Sequence, residues 1–67
     1  LAHETLSNRE YQIFRLLASA KTVTEIGDLL NLSGKTISTY RTRILEKMHL
    51  RNNAELMQYA VEKQLVD

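Results

Sequence analysis

The 67-residue chain has no cysteine, no proline and no tryptophan, only two glycines, and just three tyrosines and one phenylalanine as aromatics. Without cysteine there is no disulfide framework, no thiolate zinc site and no thiol nucleophile, and the expected compartment is a reducing one, the cytoplasm. Without proline no helix interior is forced to kink or stop. No apolar run approaches the roughly 18 residues that cross a bilayer, and no basic-then-apolar leader opens the chain, so no membrane partner is expected. The first residue is leucine rather than methionine, which reads as a piece excised from a longer protein. A chain this short buries only about 60% of the surface its unfolded form exposes, so one small domain spanning residues 1–67 is expected, with every helix end mattering to its stability.

Charge of one sign is scarce overall, at net +1, but it is segregated. Between Gly34 and Arg51 five basic residues (Lys35, Arg41, Arg43, Lys47, Arg51) face one acid, Glu46, a local +4; elsewhere four basic residues meet seven acidic ones, a local −3. A basic element on an acidic body is an oriented footprint for a polyanion.

No stretch alternates in the strand fashion, so the fold class is all-α with boundaries set by caps. Ser7-Asn8-Arg9-Glu10 and Thr22-Val23-Thr24-Glu25 both fit the capping box, Asn52-Asn53-Ala54-Glu55 repeats its spacing, and Ser33 supplies a fourth cap. Four helix starts follow, near residues 8, 23, 34 and 53. The first helix, Asn8 to Ala20, gathers Ile13, Phe14, Leu17 and Ala20 on one face with Leu16 widening it; the second, Val23 to Leu30, buries Val23, Ile26, Leu29 and Leu30. Gly27 weakens that second helix by roughly 1 kcal/mol against Ala and is best explained by close approach of another helix. Asn31 to Ser33 is the length of the turn in a helix-turn-helix. Leu1 to Thr5 reads as the end of an interdomain linker.

The third helix, about 34–49, holds the functional signal. On a wheel of about 100° per residue, Ile37, Tyr40, Ile44, Leu45 and Met48 make a buried face, while Lys35, Ser38, Thr39, Thr42, Arg43 and Glu46 fall opposite, with Arg41 and Lys47 at the boundary. Short hydroxyls let a helix sit deep in the major groove and meet base edges, and marginal cations meet phosphates. The fourth helix, about Asn53 to Lys63, uses Met57, Ala60 and Val61 to close the core. Leu56, Tyr59 and Lys63 are left as a dimer face, which would set two recognition helices on half-sites about one DNA turn apart.

Other chemistry finds little support. "SGKT" would need a glycine five positions before Gly34 to be a phosphate loop, and Leu29 stands there. His3 and His49 lack ligand spacing, and Asp28, His49 and any serine make no triad, so no metal, no cofactor and no catalysis are expected.

The segments "LSNRE" (6–10), "TEIGDLLNLS" (24–33), "KTISTYRTRILEKM" (35–48) and "NNAEL" (52–56) together resemble the LuxR/NarL/FixJ-type helix-turn-helix output domains of bacterial response regulators. The resemblance implies a four-helix domain that binds double-stranded DNA, regulates transcription, and commonly pairs through its fourth helix into a homodimer on DNA. Carried over position by position, the resemblance implies Ser38, Thr39, Thr42 and Arg43 as base contacts, with Arg43 equally placed for a phosphate, and Lys35, Thr36, Arg41 and Lys47 as phosphate contacts. RNA polymerase is a further implied partner. A receiver domain or a small-molecule-binding module is implied before Leu1, and the resemblance leaves the choice open. The chain departs from the pattern at Ala20, where glycine is frequent, at Gly27, where alanine is, at Met48 and at Asn53; the first three read as packing variants, and Asn53 as a lost polar or phosphate contact. Two rivals stay open: a sigma-factor-like promoter-reading domain, which shares the "LSxRE" opening, and a helical protein-interaction module whose basic helix meets an acidic partner.

Overall fold

The computed structural model describes residues 1–66 and contains, in order, a one-turn 3-10 helix Ala2–Thr5 and four α-helices: α1 Asn8–Ala18, α2 Val23–Leu30, α3 Gly34–Met48 and α4 Asn53–Glu62. No strand occurs among the described residues. All four α-helix starts coincide with the caps read from the sequence. Ser7 Oγ accepts from the Glu10 N–H at 3.2 Å while Glu10 Oε1 accepts from Ser7 N–H at 2.8 Å, and Thr22 and Glu25 repeat the exchange at 3.1 and 2.9 Å. Ser33 Oγ takes the Thr36 N–H at 3.1 Å, and Asn52 Oδ1 the Glu55 N–H at 2.9 Å. The reciprocal half of the last box is displaced by one residue. With Asn52 fully extended (φ −159°, ψ 176°), it is the N–H of Arg51 that Glu55 Oε1 meets, at 2.8 Å.

The helix ends are less legible. Each α-helix is followed by a residue in the left-handed region, Ala20 (φ 65°), Asn31 (59°), His49 (57°) and Gln64 (56°), none of them glycine. In every case the next N–H closes a long return bond: Lys21 to Leu16 O, Leu32 to Gly27 O, Leu50 to Leu45 O and Leu65 to Ala60 O, all at 2.8–3.1 Å. These are Schellman closures, which satisfy carbonyls that helix termination leaves free. Ala20 is therefore not the last core residue of α1 but an exposed backbone hinge, and the frequent glycine there is a matter of φ rather than of packing.

The core is Ile13, Phe14, Leu17 and Ala18 of α1, Ile26 of α2, Ile37, Ile44, Leu45 and Met48 of α3, and Leu56 and Ala60 of α4. Two expectations are overturned. Leu29 is 61% exposed, because Ile26 and Gly27 are the residues of α2 that turn inward. On α4 the pair Leu56 and Ala60, one turn apart, fills the core, whereas Met57 and Val61, the next stripe round, face out at 37% and 64% exposure. Gly27 does accommodate a close approach, though of the turn rather than of a neighbouring helix: a Cβ there would stand 2.6 Å from the Leu32 carbonyl oxygen.

Nor do residues 1–5 form a free linker. His3 N–H donates to Tyr59 Oη at 3.2 Å, its Nδ1 lies 2.9 Å from the same oxygen, and its ring packs near Tyr11 and Tyr59. Phe14 meets Tyr59 edge to face beneath them. Arg15 Nε donates to Leu65 O at 3.1 Å, holding the chain beyond α4 against α1.

Candidate nucleic-acid interface

Three features hold α3 in place. Its aliphatic seam is sunk into the core, its N-terminus is capped by Ser33, and α2 lies against it across the three-residue turn. This leaves Lys35, Ser38, Thr39, Thr42, Arg43 and Glu46 exposed and Thr36, Tyr40 and Arg41 half-buried. The split between a buried seam and an outer hydroxyl-bearing face is the one expected from the wheel. Lys35 and Arg43 form no ion pair among the described residues, so their charge is available to a ligand.

Several groups assigned to one role carry a structural partner as well. The Thr36 hydroxyl shares a 2.9 Å bond with Ser33 Oγ, tying it to the cap. Thr39 Oγ1 donates to Lys35 O and Thr42 Oγ1 to Ser38 O, each at 3.1 Å. Arg41 Nη1 donates to Asn53 Oδ1 at 3.2 Å, joining the middle of α3 to the first turn of α4. Asn53, where the sequence implied a lost polar or phosphate contact, thus also holds the Arg41 guanidinium.

Lys47 differs most from the expectation. Its Nζ sits 2.8 Å from Oε1 of Glu10, whose side chain is only 6% exposed, and the same oxygen caps α1 through Ser7 N–H. That carboxyl is held below its ordinary value, first by the Lys47 bond and then by the Ser7 N–H, against the opposing effect of burial. A buried carboxylate without its cation would be costly, so Lys47, expected from the sequence to meet a phosphate, is also the counterion of Glu10. Thirty-seven residues separate the partners, and no local spacing could have revealed the pair.

The proposed dimer residues do not share one free surface. Leu56 is fully buried in the domain's own core, so it is removed from that face. Tyr59 is half-buried and bonded to His3, and Lys63 is exposed with its ammonium 5.9 Å from the Tyr59 ring centre. No helix among the described residues is long and apolar enough to cross a membrane, and no group of three potential metal ligands is assembled among them.

A compact helical domain with a capped, outward-facing third helix behind a three-residue turn is a helix-turn-helix of the DNA-binding class. Residues 4–60 match the family model described as bacterial regulatory proteins, luxR family. The chain belongs to that family. It is similar to the response regulator GacA of Pseudomonas aeruginosa, with 44% identity over 64 residues covering 96% of this chain and 30% of that protein. It is also similar to the oxygen regulatory protein NreC of Staphylococcus carnosus, with 39% identity over 62 residues covering 92% and 29%, and to the virulence-factor regulator BvgA of Bordetella pertussis, with 42% identity over 60 residues covering 90% and 29%. The chain thus spans less than a third of the length of these relatives.

Proposed function

We propose that the chain is the sequence-specific output domain of a two-component transcription regulator in the bacterial cytoplasm, reading double-stranded DNA with α3 in the major groove and acting by binding, not catalysis. The observation that carries this reading is the outer face of α3. There Ser38, Thr39, Thr42 and Arg43 are exposed between Lys35 at one end and the half-buried Arg41 beside it, while the opposite seam is locked into the core. Ser38, Thr39, Thr42 and Arg43 meet base edges; Lys35, Thr36 and Arg41 meet phosphates. The response-regulator relatives support a receiver domain ahead of this one in the full-length protein, and RNA polymerase is the machinery such a regulator acts on.

On DNA two copies pair through the outer stripe of α4, where Met57 and Val61 are exposed one turn apart beside Tyr59 and Lys63. Such a pairing is isologous and matches an inverted-repeat operator. Two measurements test the reading together. Affinity for a selected duplex should fall steeply as salt rises while a preference over scrambled sequence persists. Sedimentation on an inverted-repeat duplex should report two chains for the natural sequence and one for Val61→Asp. Salt-independent binding, or equal affinity for every sequence, contradicts the first part; a strictly single chain on that duplex contradicts the second.

A further inference from the structure

The hydroxyl groups on the groove face are not equivalent, and two of them are already oriented. Thr39 Oγ1 and Thr42 Oγ1 each lie 3.1 Å from a main-chain carbonyl oxygen one turn back, those of Lys35 and Ser38. A carbonyl oxygen has no hydrogen to give, so in both bonds the threonine's single proton points inward along the helix. What remains for a ligand is the lone pairs of the oxygen and the methyl group. Ser38, immediately before Thr39 in sequence, has no such bond among the described residues and keeps its proton free.

The major groove translates this into a rule. Adenine offers its N6 amino hydrogens and cytosine its N4 amino hydrogens; thymine offers an acceptor and a methyl; guanine offers only the acceptors N7 and O6. A threonine oxygen whose proton is committed can accept from adenine or cytosine and can touch the thymine methyl, but it has nothing for guanine. We infer that Thr39 and Thr42 act as acceptor-only readers, selecting amino-bearing bases, adenine or cytosine, on the strand they face and excluding guanine. The inference rests on the groove-reading role proposed above and adds the chemistry of the bases read.

The test is selection of bound duplexes from a random pool by the unsubstituted 67-residue chain and by its Thr42→Val, Thr42→Ser, Thr39→Val and Thr39→Ser variants. Valine keeps the shape and a methyl but removes the oxygen; serine keeps the oxygen and can make the same inward bond. Each threonine's position in the motif is identified as the one whose preference changes in its valine variant. At that position the unsubstituted chain should favour adenine or cytosine over guanine by roughly 5- to 10-fold. The valine variant should lose that preference, and serine should restore it. Guanine preferred there by the unsubstituted chain, or a valine variant that selects an unchanged motif, overturns the inference while leaving DNA reading intact. An unsubstituted chain that enriches no motif at all overturns the groove-reading role itself and the inference with it. Circular dichroism of each variant shows whether the exposed substitution leaves the helices formed.

Discussion

Along α3, Lys35 and Arg43 stand exposed with no ion-pair partner among the described residues, whereas Lys47, one turn beyond Arg43, is clasped at 2.8 Å by a buried carboxylate from α1. The helix therefore divides along its length. Its first two-thirds carry the exposed Lys35 and Arg43, and its last turn is fastened to the body of the domain. A count of positive charges would have treated the three cations alike. What separates them is where their neighbours come from: Glu10 arrives from the far side of the chain, and its own place is set by the cap it makes with Ser7. Positive charge on α3 is thus partly tied into the fold and partly left open, and only the packing distinguishes the two.

The widest separation between the two roles should appear in stability. Ile44→Ala empties a fully buried site and is expected to lower unfolding free energy by about 2 to 5 kcal/mol, while Thr42→Ala, two residues earlier and exposed, should change it by no more than about 0.5. Urea denaturation of both variants measures the contrast, and similar losses would break it. Glu10→Ala comes next, removing a reciprocal cap and orphaning Lys47 for an expected loss of about 2 to 3 kcal/mol. The same group governs behaviour in acid. Because its folded pKa is depressed, its contribution is complete above the unfolded carboxylate value and disappears as pH falls through the lower folded value. Stability should therefore decline on that acid limb, and Glu10→Gln should flatten it; an unchanged limb would remove Glu10 from the account.

A finer distinction lies in the salt dependence of DNA affinity. Lys35→Gln should make the slope of log affinity against log salt shallower by about 0.9, as expected of a side chain that neutralises a phosphate. Lys47→Gln should leave that slope as it was and lower the melting temperature instead. A slope change for Lys47 equal to that of Lys35 would erase the division of α3. The smallest effect is expected away from α3, at the end of α1. Ala20→Gly relieves a left-handed backbone (φ 65°) and should raise stability by about 0.5 to 1 kcal/mol in the same denaturation assay.

Helix starts and the outer face of α3 were legible in the sequence because both rest on local chemistry. A cap joins residues three apart, and a helical face follows from a fixed angular step. Helix ends were harder, since Asn31, His49, Ala20 and Gln64 take the left-handed conformation with no glycine to announce it. The inward stripe of α4 was misassigned because Leu56, Met57, Ala60 and Val61 form a continuous apolar arc, and only the position of α1 decides which half of the arc is covered. Long-range partners were out of reach altogether. His3 on Tyr59, Arg41 on Asn53 and Lys47 on Glu10 depend on the assembled tertiary structure. For the candidate site this means that the residues facing outward could be named from the pattern alone, while the state of their hydrogen bonds could not.

The bare backbone of Gly27 allows the Leu32 carbonyl to come within 2.6 Å of where any side chain would begin, and Leu32 N–H returns to Gly27 O at 2.9 Å. Main chain rests on main chain at that corner. That contact of peptide groups joins the side-chain packing of Val23, Ile26 and Ile37 in fixing how α3 leaves the turn. A side chain at position 27 would have to push that carbonyl away, and with it the start of α3.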